Sequence, residues 1–274
     1  MSSSRPRPWR DLREVVSSYY KSPPEPKGWV RDDGRETEEL TPDPGWARTR
    51  SAAKARSGLQ HSLLFPTVWA FGRPTVLGAD DLRTYPQPAV IAPNHASHVD
   101  TSLVWYALPS TWRRNTVIAA ATDHFYANRA VGATVSLLFN TVPFERRGRL
   151  RGLRSAEKLL DEGWNVVVFS QGTRRAEGSL DDFHAGVGRI CMRARVPAIP
   201  VWISGTGRML PPQRGFPRPT SLTIAFGRPI WADEGDDYAS MALRIENAVK
   251  DLASADGHRE LIGRPPIERY RATR

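Results

Sequence analysis

Short apolar runs alternate with helix-period segments through the middle of this chain. Ala89 to Pro93, Thr116 to Ala121, Val166 to Ser170, Ala198 to Ser204 and Leu222 to Phe226 are continuous apolar runs of strand length. Between and after them, Val99 to Leu108, Arg149 to Glu162, Gly186 to Arg195 and Tyr238 to Leu252 carry apolar residues at helical spacing. Gly163 stands where a left-handed cap would end the second of these helices. Runs apolar on every position suit strands covered on both faces. The pattern therefore predicts an α/β fold, a mostly parallel central sheet flanked by helices, with reactive groups at the strands' carboxyl ends.

Ahead of this region, Leu59, Leu63, Leu64, Phe65, Val68, Trp69 and Phe71 form an apolar cluster before Gly72-Arg73-Pro74. Two readings fit it: a helix packed on the core, and a helix lying at a membrane interface, where aromatic residues with basic neighbours sit well. Pro66 interrupts the run from Leu63 to Phe71, which is less than half of the roughly 20 residues a spanning helix needs. Contact with a membrane would thus be made by lying on it. Residues 1–57 mix both charges with prolines at 23, 24, 26, 42 and 44, and only Trp9, Leu12, Val15, Val16 and Tyr19 keep a helical stripe. They read as an irregular N-terminal extension, a short helix followed by a Pro-rich linker, partly unpacked. The expected organisation is this extension, one domain over 58–260, and a basic C-terminal tail over 261–274.

Composition narrows the chemistry. A chain of 274 residues holds one sizeable core. Its formal charge of +10 favours anionic partners, which charge alone leaves open among nucleic acid, lipid headgroups and phosphate-bearing substrates. Cys191 is the single cysteine, so no intramolecular disulfide and no multi-cysteine metal site can form. It reads as a small buried apolar residue in a reducing cytosol. The first residues lack the apolar core of a secretory signal, so export is not expected.

Three constellations could carry chemistry. In Asn94-His95-Ala96-Ser97-His98-Val99-Asp100 the imidazole of His95 sits at a strand-to-helix turn and Asp100 in the first helical turn. A His-carboxylate hydrogen bond there would fix the tautomer and make His95 a general base. The neighbouring helix N-terminus could steady an oxyanion. The same residues also spell a capping box, with Ser97 as cap and Asp100 at its third position, which needs no catalysis. His98 reads as helix-start surface. Second, Phe169-Ser170-Gln171-Gly172-Thr173-Arg174-Arg175 ends another apolar run. Gly172 permits close backbone approach, Thr173 offers a hydroxyl and Arg174 a planar fork, so this is either an anion cradle or a solvated turn. Third, Glu145 and Arg146 precede basic residues at 147, 149, 151, 154 and 158, either a solvated face or a binding strip for phosphate or anionic lipid.

In this order, the residues resemble the lysophospholipid acyltransferase superfamily, typified by 1-acylglycerol-3-phosphate acyltransferase. Its first block, Asn-His-x-Ser-x-x-Asp, is matched from Asn94 to Asp100, and its second resembles Phe144-Glu145-Arg146. Its third, Phe-Pro-Glu-Gly-Thr-Arg, resembles Phe169 to Arg174, and its fourth, Val-Pro-x-x-Pro-Val, matches Val196 to Val201. Asp182-Phe183-His184-Ala185-Gly186 resembles the Phe-x-x-Gly stretch between the last two. The likeness covers about residues 60 to 230.

The resemblance implies a glycerolipid acyltransferase-like fold and an enzyme that moves a fatty acyl group from acyl-CoA or acyl carrier protein to a hydroxyl of a lysophospholipid or related phosphate-bearing lipid. By that likeness His95 is the base and Asp100 its partner, Arg146 and Arg174 hold the acceptor's phosphate, and Glu145, Gln171, Gly172 and Thr173 line its site. No metal or cofactor is implied. Gln171 replaces the family's Glu, which is associated with acceptor binding, so the departure raises the expectation of an acceptor other than lysophosphatidate. The expected location is cytoplasmic, peripheral on the anionic inner face of the cell membrane. A non-catalytic lipid-binding relative and a basic nucleic-acid-binding protein are the competing classes. The second has only charge in its favour, and no nucleic-acid partner is expected.

Overall fold

The structure, a computed structural model, describes residues 43–121, 126, 128–144, 149–172, 174–175, 180, 183–211 and 216–257. Its first elements are a 3₁₀ turn (Gly45–Arg48), α1 (Arg50–Leu59), a π-helical turn (Gln60–Leu64) and α2 (Phe65–Gly72). Strands β1 (Thr75–Leu77) and β2 (Val90–Pro93) follow, then α3 (Val99–Ala107), α4 (Ser110–Arg114), β3 (Thr116–Ala121), α5 (Arg129–Phe139) and β4 (Thr141–Phe144). Next come α6 (Arg149–Asp161), β5 (Asn165–Val167), α7 (Ala185–Ala194), β6 (Ala198–Ser204), α8 (Thr206–Met209), β7 (Thr223–Phe226) and α9 (Tyr238–Gly257).

The strands form one seven-stranded sheet in the order β1-β7-β6-β2-β5-β3-β4. Every pairing is parallel except β6 with β7, which runs antiparallel through Val201↔Phe226 to Ser204↔Thr223. The expected α/β architecture is thus present. Alternate side chains enter two cores. Ile91, Ile118, Val167, Ile199 and Ile203 face Leu103, Val104, Trp105 and Phe139, while Val90, Val117, Val166 and Ala198 face α6, α7 and α9. Burial on both faces explains why these strands read as continuous apolar runs rather than alternating ones.

Local chemistry sets the element ends. The Asn128 side chain caps α5 by accepting from Ala130 N at 2.9 Å and Val131 N at 3.3 Å. Asn140 ends that helix in the left-handed region, at φ 49°, and its amide donates to Thr116 O at 2.8 Å, which joins helix end to sheet. Gly163, at φ 88°, closes α6 as the sequence suggests, with Trp164 N donating back to Leu159 O at 2.9 Å.

The division expected between residues 57 and 58 falls inside α1. Arg56 is buried and donates to Leu137 O at 2.8 Å, to Asn140 Oδ1 at 3.2 Å and to Ala47 O, which pins this helix to the end of α5. Burial lowers its guanidinium pKa to about 10. The helical stripe from Trp9 to Tyr19 and the tail over 261–274 lie outside the described residues. The apolar cluster from Leu59 to Phe71 is partly core and partly surface. Val68 is in the core with Leu64, Phe65 and Phe71 packed against it, whereas Leu59, Leu63 and Trp69 are exposed. Among the described residues, no helix is long and apolar enough to cross a membrane.

Candidate active site

Strand β2 occupies the middle of the sheet, and the chain leaves its carboxyl end at Asn94-His95. The Asn94 side chain continues the ladder toward β6, donating to Ile203 O at 2.9 Å and accepting from Ile203 N at 2.7 Å. This pairing orients the turn in which His95 begins.

His95 Nδ1 and Asp100 Oδ2 are 2.7 Å apart. A carboxylate oxygen only accepts, so in the neutral imidazole this contact selects the tautomer with the proton on Nδ1 and the lone pair on Nε2. The His95 side chain is 14% exposed and that of Asp100 is 0%. Asp100 Oδ2 also receives the amides of Ala96 at 2.8 Å and Ser97 at 2.9 Å. Of the capping box read in the sequence only the return contact, Asp100 Oδ2 on the Ser97 amide, is formed; the helix begins after His98, and the Asp100 amide donates to Ser97 O at 3.1 Å and not to the Ser97 hydroxyl. One oxygen closes the helix start and holds the imidazole. Ser97 Oγ completes the turn by accepting from Val99 N at 3.4 Å and donating to Leu210 O at 3.0 Å.

This arrangement bears on two expectations. The amides of Ala96, Ser97 and Asp100 all have acceptors within the turn, and that of His95 donates to Gln171 Oε1 at 2.9 Å. These four amides are committed within the protein. His98, expected on the surface, is instead buried at 7% exposure, as the residue from which α3 starts.

The loop after β5 wraps the same histidine. Phe169 stacks on the imidazole with ring centroids 4.1 Å apart and planes 28° from parallel. The Arg175 amide donates to His95 O at 2.8 Å. Gly172 has φ +67°, and a Cβ there would stand 2.8 Å from both Cδ2 and Nε2 of His184, so the second imidazole lies directly on this glycine. His184 is exposed, and its amide donates to Ser170 O at 2.9 Å. Gln171, expected to line the acceptor site, is instead fully buried beneath His95. Arg174 is half-buried on the same loop. The structure thus brings His95, Asp100, Gln171 and Gly172 together, with Arg174 following on the same loop. Glu145, Arg146 and Thr173 lie outside the described residues. Phe169 and His184 were within quoted motifs but had no assigned role; nothing in their spacing signals ring contacts across the fold. Among the described residues no group of His, Cys, Asp and Glu could hold a metal ion.

A mostly parallel, doubly covered sheet carrying a His-carboxylate pair at the end of a central strand defines an α/β enzyme architecture. The family model described as Acyltransferase matches residues 73–204, which span both members of that pair. Among curated proteins, a chloroplastic 1-acyl-sn-glycerol-3-phosphate acyltransferase of Brassica napus is 25% identical over 62% of this chain and 48% of its own length. One of Chlamydomonas reinhardtii is 25% identical over 64% of this chain and 52% of its own. The chain spans about half the length of the curated relatives it matches. The crystal structure of the 1-acyl-sn-glycerophosphate acyltransferase PlsC from Thermotoga maritima has the same fold, with a TM-score of 0.58 and 22% identity over 82% of this chain and 86% of that one. Over residues 73–204 the chain thus matches the acyltransferase domain, and the similar proteins named above are acyltransferases.

Proposed function

We propose that this protein transfers a fatty acyl group from a coenzyme A or acyl-carrier-protein thioester to a hydroxyl of a lysophospholipid, with His95 as general base. The observation that carries this reading is the 2.7 Å contact between His95 Nδ1 and Asp100 Oδ2, which leaves Nε2 to take a proton. As the acceptor hydroxyl attacks the thioester carbonyl, its proton passes to Nε2 and a C–O bond forms. The tetrahedral intermediate then breaks its C–S bond, and the imidazolium returns the proton to the departing thiolate. Asp100 stabilises the imidazolium between these steps. No serine or cysteine nucleophile enters, and no metal or cofactor is required.

The names of the curated relatives support a 1-acyl-sn-glycerol-3-phosphate as the first acceptor to test. Arg174 and Gly172 would meet its phosphate beside the base, with Arg146, Glu145 and Thr173 assigned to the same site by family likeness. The exposed side chains of Leu59, Leu63 and Trp69 support docking of the α1–α2 region on an anionic membrane surface such as the inner face of the cell membrane, where the net charge of +10 adds attraction.

The test is transfer from labelled acyl-CoA and acyl carrier protein to a panel of lyso-lipids in anionic vesicles. Transfer should vanish in His95→Ala and fall by about 10²–10⁴ in Asp100→Asn. An Asp100→Asn protein that melts earlier yet keeps its rate would reduce the pair to a helix cap. A covalent acyl group on Ser97 or Cys191 would defeat the direct mechanism, and wild-type protein that binds vesicles but transfers nothing would leave a lipid-binding relative.

A further inference from the structure

We propose that Gln171 is a positioning residue for His95 rather than a contact for the acceptor. Its side chain is fully buried, and its Oε1 accepts the His95 main-chain N–H at 2.9 Å. From the same loop, Arg175 N–H holds His95 O at 2.8 Å and Phe169 stacks on the ring. The peptide of the base is thus gripped at both polar ends and its imidazole at one face by residues 169, 171 and 175. A fully buried amide presents no surface to a lipid headgroup. It does satisfy a part-buried donor, and loss of that bond would free the backbone on which the imidazole hangs. Displacement of a catalytic group by about 1 Å costs about 10²-fold in rate.

What the contact requires is a carbonyl-type oxygen at that distance. Gln supplies it without adding a second negative charge near the fully buried Asp100, where two desolvated carboxylates would oppose each other's ionisation. The exchange of the family's Glu for Gln therefore preserves the brace on the base and carries no information about the acceptor. The inference rests on the reading of His95 as the base.

The experiment compares wild type, Gln171→Met, which keeps volume but removes the oxygen, and Gln171→Glu, which restores it. With acyl-CoA and lysophosphatidate vesicles, Gln171→Met should lose about 100-fold in kcat while its KM for lysophosphatidate stays within about threefold. Gln171→Glu should recover kcat to within about tenfold of wild type. A second readout needs no substrate: the downfield proton resonance of His95 Nδ1–H against Asp100 should persist in wild type and Gln171→Glu and broaden or shift in Gln171→Met. Should Gln171→Met melt below the assay temperature, Gln171→Asn, which withdraws the oxygen by one methylene, carries the same expectations. A raised acceptor KM with unchanged kcat in Gln171→Met would overturn the proposal, as would a variant identical to wild type in both readouts, or a Glu variant that restores neither. Wild type that transfers nothing while the resonance still depends on Gln171 would sink the proposed function and leave the brace standing.

Discussion

Asn94 and Ile203 exchange two hydrogen bonds across 109 residues of sequence, Nδ2 donating to Ile203 O at 2.9 Å and Oδ1 accepting Ile203 N–H at 2.7 Å. The ladder from Val90↔Ala198 to Pro93↔Val201 ends just before Asn94, and the side-chain amide takes over where main-chain pairing stops. The first and fourth family blocks are therefore one structural unit. The strand starting in Val196 to Val201 fixes the place from which the base departs.

Asn94→Asp tests this unit, because the carboxylate keeps one acceptor and turns an oxygen toward Ile203 O in place of the donor. Loss of that buried bond should cost about 1–3 kcal/mol of stability. Acyl transfer should drop with it even at temperatures where the variant stays folded, since the turn carrying His95 loses its anchor. Thermal melts and kcat measured on the same preparation check both parts. A variant with lowered stability and an unchanged kcat would mean that the pairing supports only the fold.

Much of the sheet was legible because doubly buried strands impose long apolar runs, and the helices because Gly163 and the 3.6-residue period mark them. Strand β1 was not, being three partly buried residues at a sheet edge. Neither α5 nor β4 was marked: the apolar residues from Leu137 to Val142 run across the end of α5, Asn140 at φ 49° and the start of β4. A single left-handed residue separates two elements there, and hydrophobicity does not register it. At the site, residue types announced the His95–Asp100 pair, but not that one carboxylate oxygen would serve cap and imidazole together. The inward placement of Gln171 was hidden because its partner lies 76 residues earlier.

Cys191 lies in the core between α7 and the sheet, and burial pushes its thiol up to about 12. It should resist maleimide at pH 8 in native protein and react once guanidinium unfolds the chain, as mass spectrometry would register. The folded pKa stands above that of the unfolded chain. The stabilising effect of burying the neutral thiol is complete below about pH 9 and is lost as pH rises toward 12, at about 1.4 kcal/mol per unit. Cys191→Ala should remove this portion of the alkaline decline in denaturant-measured stability. Rapid modification of the folded protein at pH 8 would contradict the assigned burial and reopen the thiol as a nucleophile.

Gly172→Ala places two separate demands on the loop that wraps His95. The backbone sits at φ +67°, which costs a residue with a Cβ about 1–2 kcal/mol. The new methyl would also stand 2.8 Å from the His184 ring, which must move aside. Because Gln171 and Arg175 flank this glycine in the hold on His95, relaxation should reach the base and lower kcat by about tenfold or more. The two causes separate in the Gly172→Ala/His184→Ala double variant, where the ring is gone and the backbone demand remains. Partial recovery of kcat relative to Gly172→Ala assigns the difference to the imidazole. No recovery would place the whole effect in the left-handed backbone, and undiminished activity in the single variant would show that the loop bends without disturbing His95.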